Sequence, residues 1–219
     1  MKAFLFDLDG TLVDNVFAHV YAWQLAFAEQ DEPADAWRIH ARIGMSGEML
    51  PREVAKEAGA PLSDEVAERI HKRHGELYSS LSLPPRALSG AKSIFRELRR
   101  REIPHAISTS SHRPALDVSL GALDLPADTT VLDGSAVKIA KPEPDLFLAT
   151  AERLSIAPDQ CYVAGDAVWD MIAARRAGMT PLAVRTGGNC EAELKEAGAE
   201  RVYDDVAHIE QALDDLLPS

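Results

Sequence analysis

The stretch Phe4-Leu5-Phe6-Asp7-Leu8-Asp9-Gly10-Thr11-Leu12-Val13-Asp14 decides the fold. The run Ala3 to Phe6 is short and wholly apolar, as in a strand buried on both faces of a parallel sheet. It ends in two carboxylates spaced i, i+2, followed by a glycine. Ligands in open α/β sheets gather outside the carboxyl ends of strands, so Asp7 and Asp9 stand where chemistry is expected. Like charges this close repel unless a cation lies between them. A hard divalent ion with oxygen ligands, Mg²⁺, resolves that repulsion. Gly10 allows a tight turn, and the Thr11 hydroxyl can bond a ligand or cap the loop. A plain Asp-Gly turn after a strand is the competing reading.

Downstream, residues from Val16 to about Ser80 have helical character and little strand character. Ala18, Ala22, Leu25 and Ala26 mark a first helix ending near Gln30, and a short second helix is expected over 34–41. The loop 42–47 follows, with Ser46 as a cap for a helix over 48–58. Ser63-Asp64-Glu65 opens another helix reaching about Tyr78. Pro84-Pro85 marks the way out. An insert of about 65 residues is large enough to be a small domain. From Leu88 helix and strand alternate. Strands are predicted at 105–108, 130–132, 161–164, 180–184 and 201–203, and helices at 90–101, 114–120, 144–154, 167–177, 192–197 and 206–217. That alternation means βαβ units and a mostly parallel sheet. The expected architecture is a Rossmann-like, doubly wound α/β core, residues 1–14 and 85–219, with an α-helical cap domain inserted at 15–84.

The 219 residues are 46% hydrophobic and 26% charged, an ordinary globular composition. Net charge is −12, from 23 basic and 35 acidic residues, which opposes nucleic acid or an anionic membrane as a partner. It does not oppose a small phosphorylated metabolite, because a metal ion and one lysine set the local field. No apolar run approaches a membrane span and no signal-peptide pattern precedes the first strand, so a cytoplasmic location is expected. Cys161 and Cys190 lack disulfide or zinc spacing. Oligomeric state is not readable.

Three further strand ends carry polar clusters. Ser108-Thr109-Ser110-Ser111 places hydroxyls and amides ahead of a helix near Pro114, which suits a phosphate or a plain N-cap. Lys141-Pro142-Glu143-Pro144-Asp145 fixes a lysine at a helix entrance, because Pro142 extends the chain and Pro144 fits a first turn. Lys138, outside that pattern, reads as surface. Gly165-Asp166 ends another buried strand, and Asp170 follows at a helix start, where a carboxylate also serves as a cap.

Together these stretches resemble the haloacid dehalogenase superfamily, whose Asp-Xaa-Asp-Gly-Thr-Leu signature is present whole at 7–12. The resemblance implies Asp7 as phosphoryl-accepting nucleophile and Asp9 as general acid and base. It implies that Thr109 binds the transferring phosphoryl group, with Ser110 beside it, and that Lys141 stabilises the charge. Thr11 joins them as a phosphate contact. Metal-holding acids are Asp7, Asp9, Asp166 and Asp170, with Asp166 the direct Mg²⁺ ligand and Asp170 a more indirect partner. His19, near Trp23, resembles a substrate-approaching histidine of the phosphatase and β-phosphoglucomutase branch, and a half-buried helix histidine is its alternative. Arg42 and Ser46 flank Gly44 in a loop that could reach substrate. Lys72, Arg73 and His74 read as a solvated helix face.

The implied function is Mg²⁺-dependent hydrolysis of a small phosphate monoester, of phosphoglycolate or sugar phosphate type, through an aspartyl-phosphate. A β-phosphoglucomutase-like phosphosugar mutase shares the same motifs. A 2-haloacid dehalogenase lacks the second aspartate, so Asp9 speaks against it, and a non-catalytic binding protein remains the alternative of another class.

Overall fold

The computed structural model describes residues 2–82, 84–126, 128–138 and 141–217. Strand β1 (Ala3–Phe6) is fully buried and leads through a loop to β2 (Val13–Asp14). Four helices follow: α1 (Val16–Ala28), α2 (Ala36–His40), α3 (Leu50–Glu57) and α4 (Asp64–Ser80). The chain returns through β3 (Arg86–Ala87), which pairs antiparallel with β2, and Arg86 clasps Asp14 at 2.8 Å. The two passages between insert and core therefore run side by side. Neither short strand shows in the sequence, because two residues carry no periodicity.

Beyond β3 come α5 (Ala91–Arg100), β4 (His105–Ser108), α6 (Ala115–Gly121), β5 (Thr130–Leu132), α7 (Asp145–Leu154) and β6 (Cys161–Gly165). Then follow α8 (Val168–Arg176), β7 (Thr180–Val184), α9 (Glu191–Glu196), β8 (Arg201–Tyr203), α10 (Val206–Gln211) and α11 (Leu213–Leu216). The last two were expected as one helix; the chain breaks it at Ala212. The six-stranded sheet runs β5-β4-β1-β6-β7-β8, every pairing parallel. This is the Rossmann-like α/β architecture that the alternation implies. β1 lies at the centre, so its carboxyl end faces the crevice from the middle of the sheet.

Alternate residues of β1 feed opposite faces. Phe4 and Phe6 pack with Ile94, Phe95, Ile107 and Ile209, whereas Ala3 and Leu5 pack with Phe147, Val163, Ala173 and Ala174. The helical insert has its own apolar cluster, centred on Val20, Trp23, Phe27, Ile39, Val54 and Ile70. On α4 the buried residues Ala67, Ile70, His74 and Tyr78 recur at helical spacing against α1. Ser63 caps α4 by accepting from Val66 N–H at 3.3 Å. Ser46 does not cap α3, which begins later, after Met49. Its backbone N–H instead donates to the Lys141 carbonyl across the insert–core cleft at 2.9 Å. No helix among the described residues is long and apolar enough to cross a membrane.

Candidate active site

Asp7 leaves β1 with its N–H bonded to the Ala164 carbonyl of β6 at 2.8 Å, so two adjacent strand ends fix its position. Gly10 turns the chain at φ +85°, where a side chain is strained, and a Cβ there would collide with Asp166 Oδ2. The turn thus lets the 7–10 loop close over Asp166. Thr11 is buried and its hydroxyl donates to Asp166 Oδ1 at 2.8 Å. The Thr11 hydroxyl proton is thus directed at a carboxylate, and Thr11 is not among the residues that line the cavity described below.

Lys141 has no exposed surface, and its Nζ bridges Asp7 and Asp170, the latter at 2.7 Å. Asp170 Oδ2 also accepts the Ala167 N–H at 3.0 Å, so this residue caps α8 and faces the lysine at once. Asp7, Asp166 and Asp170 offer carboxylate oxygens all within 4.8 Å of one another, every one buried. Burial, against the opposing Lys141, pushes Asp7 up to about 7, with Asp170 and Asp9 adding to the rise. Asp166 is raised well above the carboxylate range by burial and by Asp170 and Asp7. Burial alone would lower Lys141, but Asp170 and Asp7 outweigh it and hold the ammonium charged. Three acids against one lysine leave surplus negative charge in a dry site. An all-oxygen donor set of this kind fits a hard divalent cation.

The Asp9 carboxylate does not join that cluster. It accepts from Asn15 Nδ2 at 2.5 Å, from Ser119 Oγ at 2.9 Å and from Ser111 Oγ, and it faces His19 Nε2 at 3.5 Å. Burial pushes it up, but the hydrogen bond and charge of His19, with Ser111 and Asn15, prevail and hold it below the usual carboxylate range. The structure therefore separates two carboxylates that adjacent sequence positions had grouped as metal ligands. An unbroken strand would keep positions i and i+2 on one face; here β1 ends at Phe6 and the chain folds back through Gly10, so the turn causes the split.

A cavity of about 580 Å³ opens onto Asp7 and Asp9 and is lined by Thr109, Ser110 and Ser111 from the core. Thr109 is buried, and its Oγ1 accepts the Ser111 N–H at 3.0 Å. Ser110 Oγ donates to the Gly44 carbonyl of the insert at 3.3 Å. From the helical insert come His19, Trp23 and His74. His74, expected on a solvated face, is buried: it stacks on Trp23 at 3.8 Å and meets His19 Nδ1 at 3.0 Å. Arg42 does not reach this space. It pairs with Glu57 at 2.7 Å, and its guanidinium lies over the Trp169 ring. Asn15, Ser119 and Tyr78, which no motif singled out, complete the shell around Asp9 and His19.

The family described as haloacid dehalogenase-like hydrolase matches residues 1–178. Hexitol phosphatase A of Escherichia coli K12 is 32% identical over 185 residues, 84% of this chain and 82% of the relative. The β-phosphoglucomutase of Bacillus subtilis is 28% identical over 193 residues, 85% and 84% of the two chains. Among solved structures, a hydrolase from Pseudomonas syringae superposes with a TM-score of 0.96 at 38% identity, covering 100% of both chains.

Proposed function

The chain belongs to the haloacid dehalogenase-like hydrolases, enzymes of phosphatase or mutase type, and from that premise we propose that it is a Mg²⁺-dependent phosphatase of a small phosphate monoester acting through an aspartyl-phosphate. The observation that carries this reading is the buried Lys141 bridging Asp170 and Asp7, the last of which opens with Asp9 and Thr109 onto the cavity. We take residues 15–84 as a cap over a core of 1–14 and 85–219. We place the reaction in the cytoplasm, in keeping with two unpaired thiols.

An Asp7 oxygen attacks phosphorus while the bond to the ester oxygen breaks, leaving an acyl phosphate on Asp7. Asp9 gives its proton to the departing alkoxide, then takes one from the water that attacks the aspartyl-phosphate and releases inorganic phosphate. Asp9 is held ionised, which suits its base half. For its acid half a proton must reach it, and His19 Nε2 at 3.5 Å is the donor in reach. Lys141 keeps Asp7 oriented and balances phosphoryl charge, with Thr109 and the neighbouring amides as further donors. Asp7, Asp166 and Asp170 would hold Mg²⁺, which supplies the positive charge that keeps Asp7 ionised and offsets the phosphoryl oxygens.

Phosphate release from a panel of small esters tests the reading, with Asp7→Asn and EDTA beside it. Release that needs both Asp7 and Mg²⁺ supports it. Interconversion of β-glucose 1-phosphate and glucose 6-phosphate without net release would make the protein a mutase instead.

A further inference from the structure

The cavity above Asp7 has a chemically lopsided lining. Trp23, Ile43, Met45 and Leu50 of the insert give it apolar walls. Hydrogen-bonding groups enter at Ser111, half-buried, and at the half-buried rings of His71 and His112. No lysine or arginine among the described residues lines the interior beyond the phosphate end; Lys72 and Arg113 stand exposed at the rim. Lys72 lies between Glu68 and Glu76 at i, i+4 spacing on α4, and Arg113 is engaged by Asp117. Glu48, Glu68 and Glu76 make the rim acidic.

His71 and His74 do not supply the missing charge. Burial and the neighbouring His112 push His71 below its ordinary range. Burial, with His19 and His71, pushes His74 well below it. Neutral imidazoles offer one donor and one acceptor each, the pattern that matches hydroxyl groups. A substrate carboxylate in this space would be desolvated among apolar walls with no lysine or arginine to receive it and with His19 already facing Asp9, and would approach past an acidic rim.

We propose that the cavity selects phosphate esters of uncharged, hydroxyl-bearing alcohols, polyols or sugars, and rejects esters whose alcohol part carries a carboxylate. The inference rests on the phosphatase reading and decides between the two substrate types that the sequence left open, since phosphoglycolate belongs to the rejected group.

Matched pairs test it on the unmodified protein with Mg²⁺: glycerol 3-phosphate against 3-phosphoglycerate, and glucose 6-phosphate against 6-phosphogluconate. The expected result is kcat/KM at least roughly tenfold higher for the neutral member of each pair, because a buried unpaired charge is costly. Equal rates within a pair, or faster turnover of the carboxylate, overturn the inference while leaving the phosphatase reading intact. Inertness toward all four esters and the wider panel fails the phosphatase reading itself, and the inference falls with it. His71→Arg, which places a cation on the wall, is expected to shift the ratio toward 3-phosphoglycerate by about tenfold. A folded variant whose ratio stays unchanged counts against the proposal.

Discussion

Lys141 has no exposed surface and sits among three buried carboxylates, so single side chains here are governed by charge balance. The Asp7 pKa is raised from the ordinary 3.8 to about 7. Between those values the folded, metal-free protein keeps a proton that the unfolded chain has released, so this group's stability contribution falls as pH rises through that window. Asp166, raised in the same direction, adds to the trend. A divalent ion must displace those protons, and its stabilisation therefore grows with pH. The rise in Tm on adding Mg²⁺ is expected to be larger near pH 7.5 than near pH 5 and to vanish in Asp166→Asn; a rise independent of pH would refute the assignment. His74, held neutral by burial, runs the opposite way, but it does not touch the carboxylate cluster and so cancels in the difference with and without Mg²⁺. Thr11 makes a second case. Removing its hydroxyl leaves Asp166 without that donor, at a cost of about 1–3 kcal/mol. Thr11→Val is expected to weaken the Mg²⁺ requirement constant several-fold with little change in substrate KM, measured by titrating activity against free Mg²⁺. The Asp-Xaa-Asp-Gly-Thr spacing brings Thr11 to the site, but only the fold shows that it faces Asp166. Asn15 and Ser119 were illegible for the same reason: they meet Asp9 from different elements, 6 and 110 residues away.

Among the larger elements, those with strong period were readable and those set by contact were not. β4, β5, β7 and β8 fall where apolar runs between turn residues place them. The helix bounds of α5, α7 and α8 shift by a residue because ends are decided by capping contacts. β2 and β3 exist only through each other. Ser46 has cap chemistry, yet its loop answers to the core. Residues 40–46 are tied to four core segments. His40 Nε2–H donates to the Gly187 carbonyl at 2.9 Å, and Trp169 Nε1–H to the Ala41 carbonyl at 3.1 Å. The Gly44 carbonyl accepts from Ser110, and the Ser46 N–H reaches the Lys141 carbonyl. This loop therefore seats the insert directly on the segment bearing Lys141. Trp169→Phe deletes one of those ties while keeping an aromatic ring. One net hydrogen bond of about 0.5–1.5 kcal/mol corresponds to a rise in KM of up to roughly tenfold. Steady-state kinetics should show that rise, with Tm lowered by no more than a few degrees. An unaltered KM would mean that the loop does not hold the insert in its working position.

For the whole molecule, the metal ion and Lys141 set the field at contact, and the net charge of −12 acts only at long range, slowing the approach of an anionic substrate without barring its binding. The acidic rim residues Glu48, Glu68 and Glu76 concentrate that field at the cavity mouth, whereas the attracting Lys141 is fully buried against Asp7. Exposed charges are screened over about 30 Å at 0.01 M salt and about 8 Å at 0.15 M, and buried ones far less. Added salt should therefore weaken the long-range repulsion more than the short-range attraction. At constant free Mg²⁺, kcat/KM for a dianionic ester is expected to rise a few-fold between about 0.01 and 0.15 M monovalent salt. The gain should shrink in Glu68→Gln combined with Glu76→Gln, which leaves the carboxylate cluster untouched. If kcat/KM instead fell steadily with salt, attraction would dominate at long range, and the substrate would have to enter by a face other than this acidic mouth.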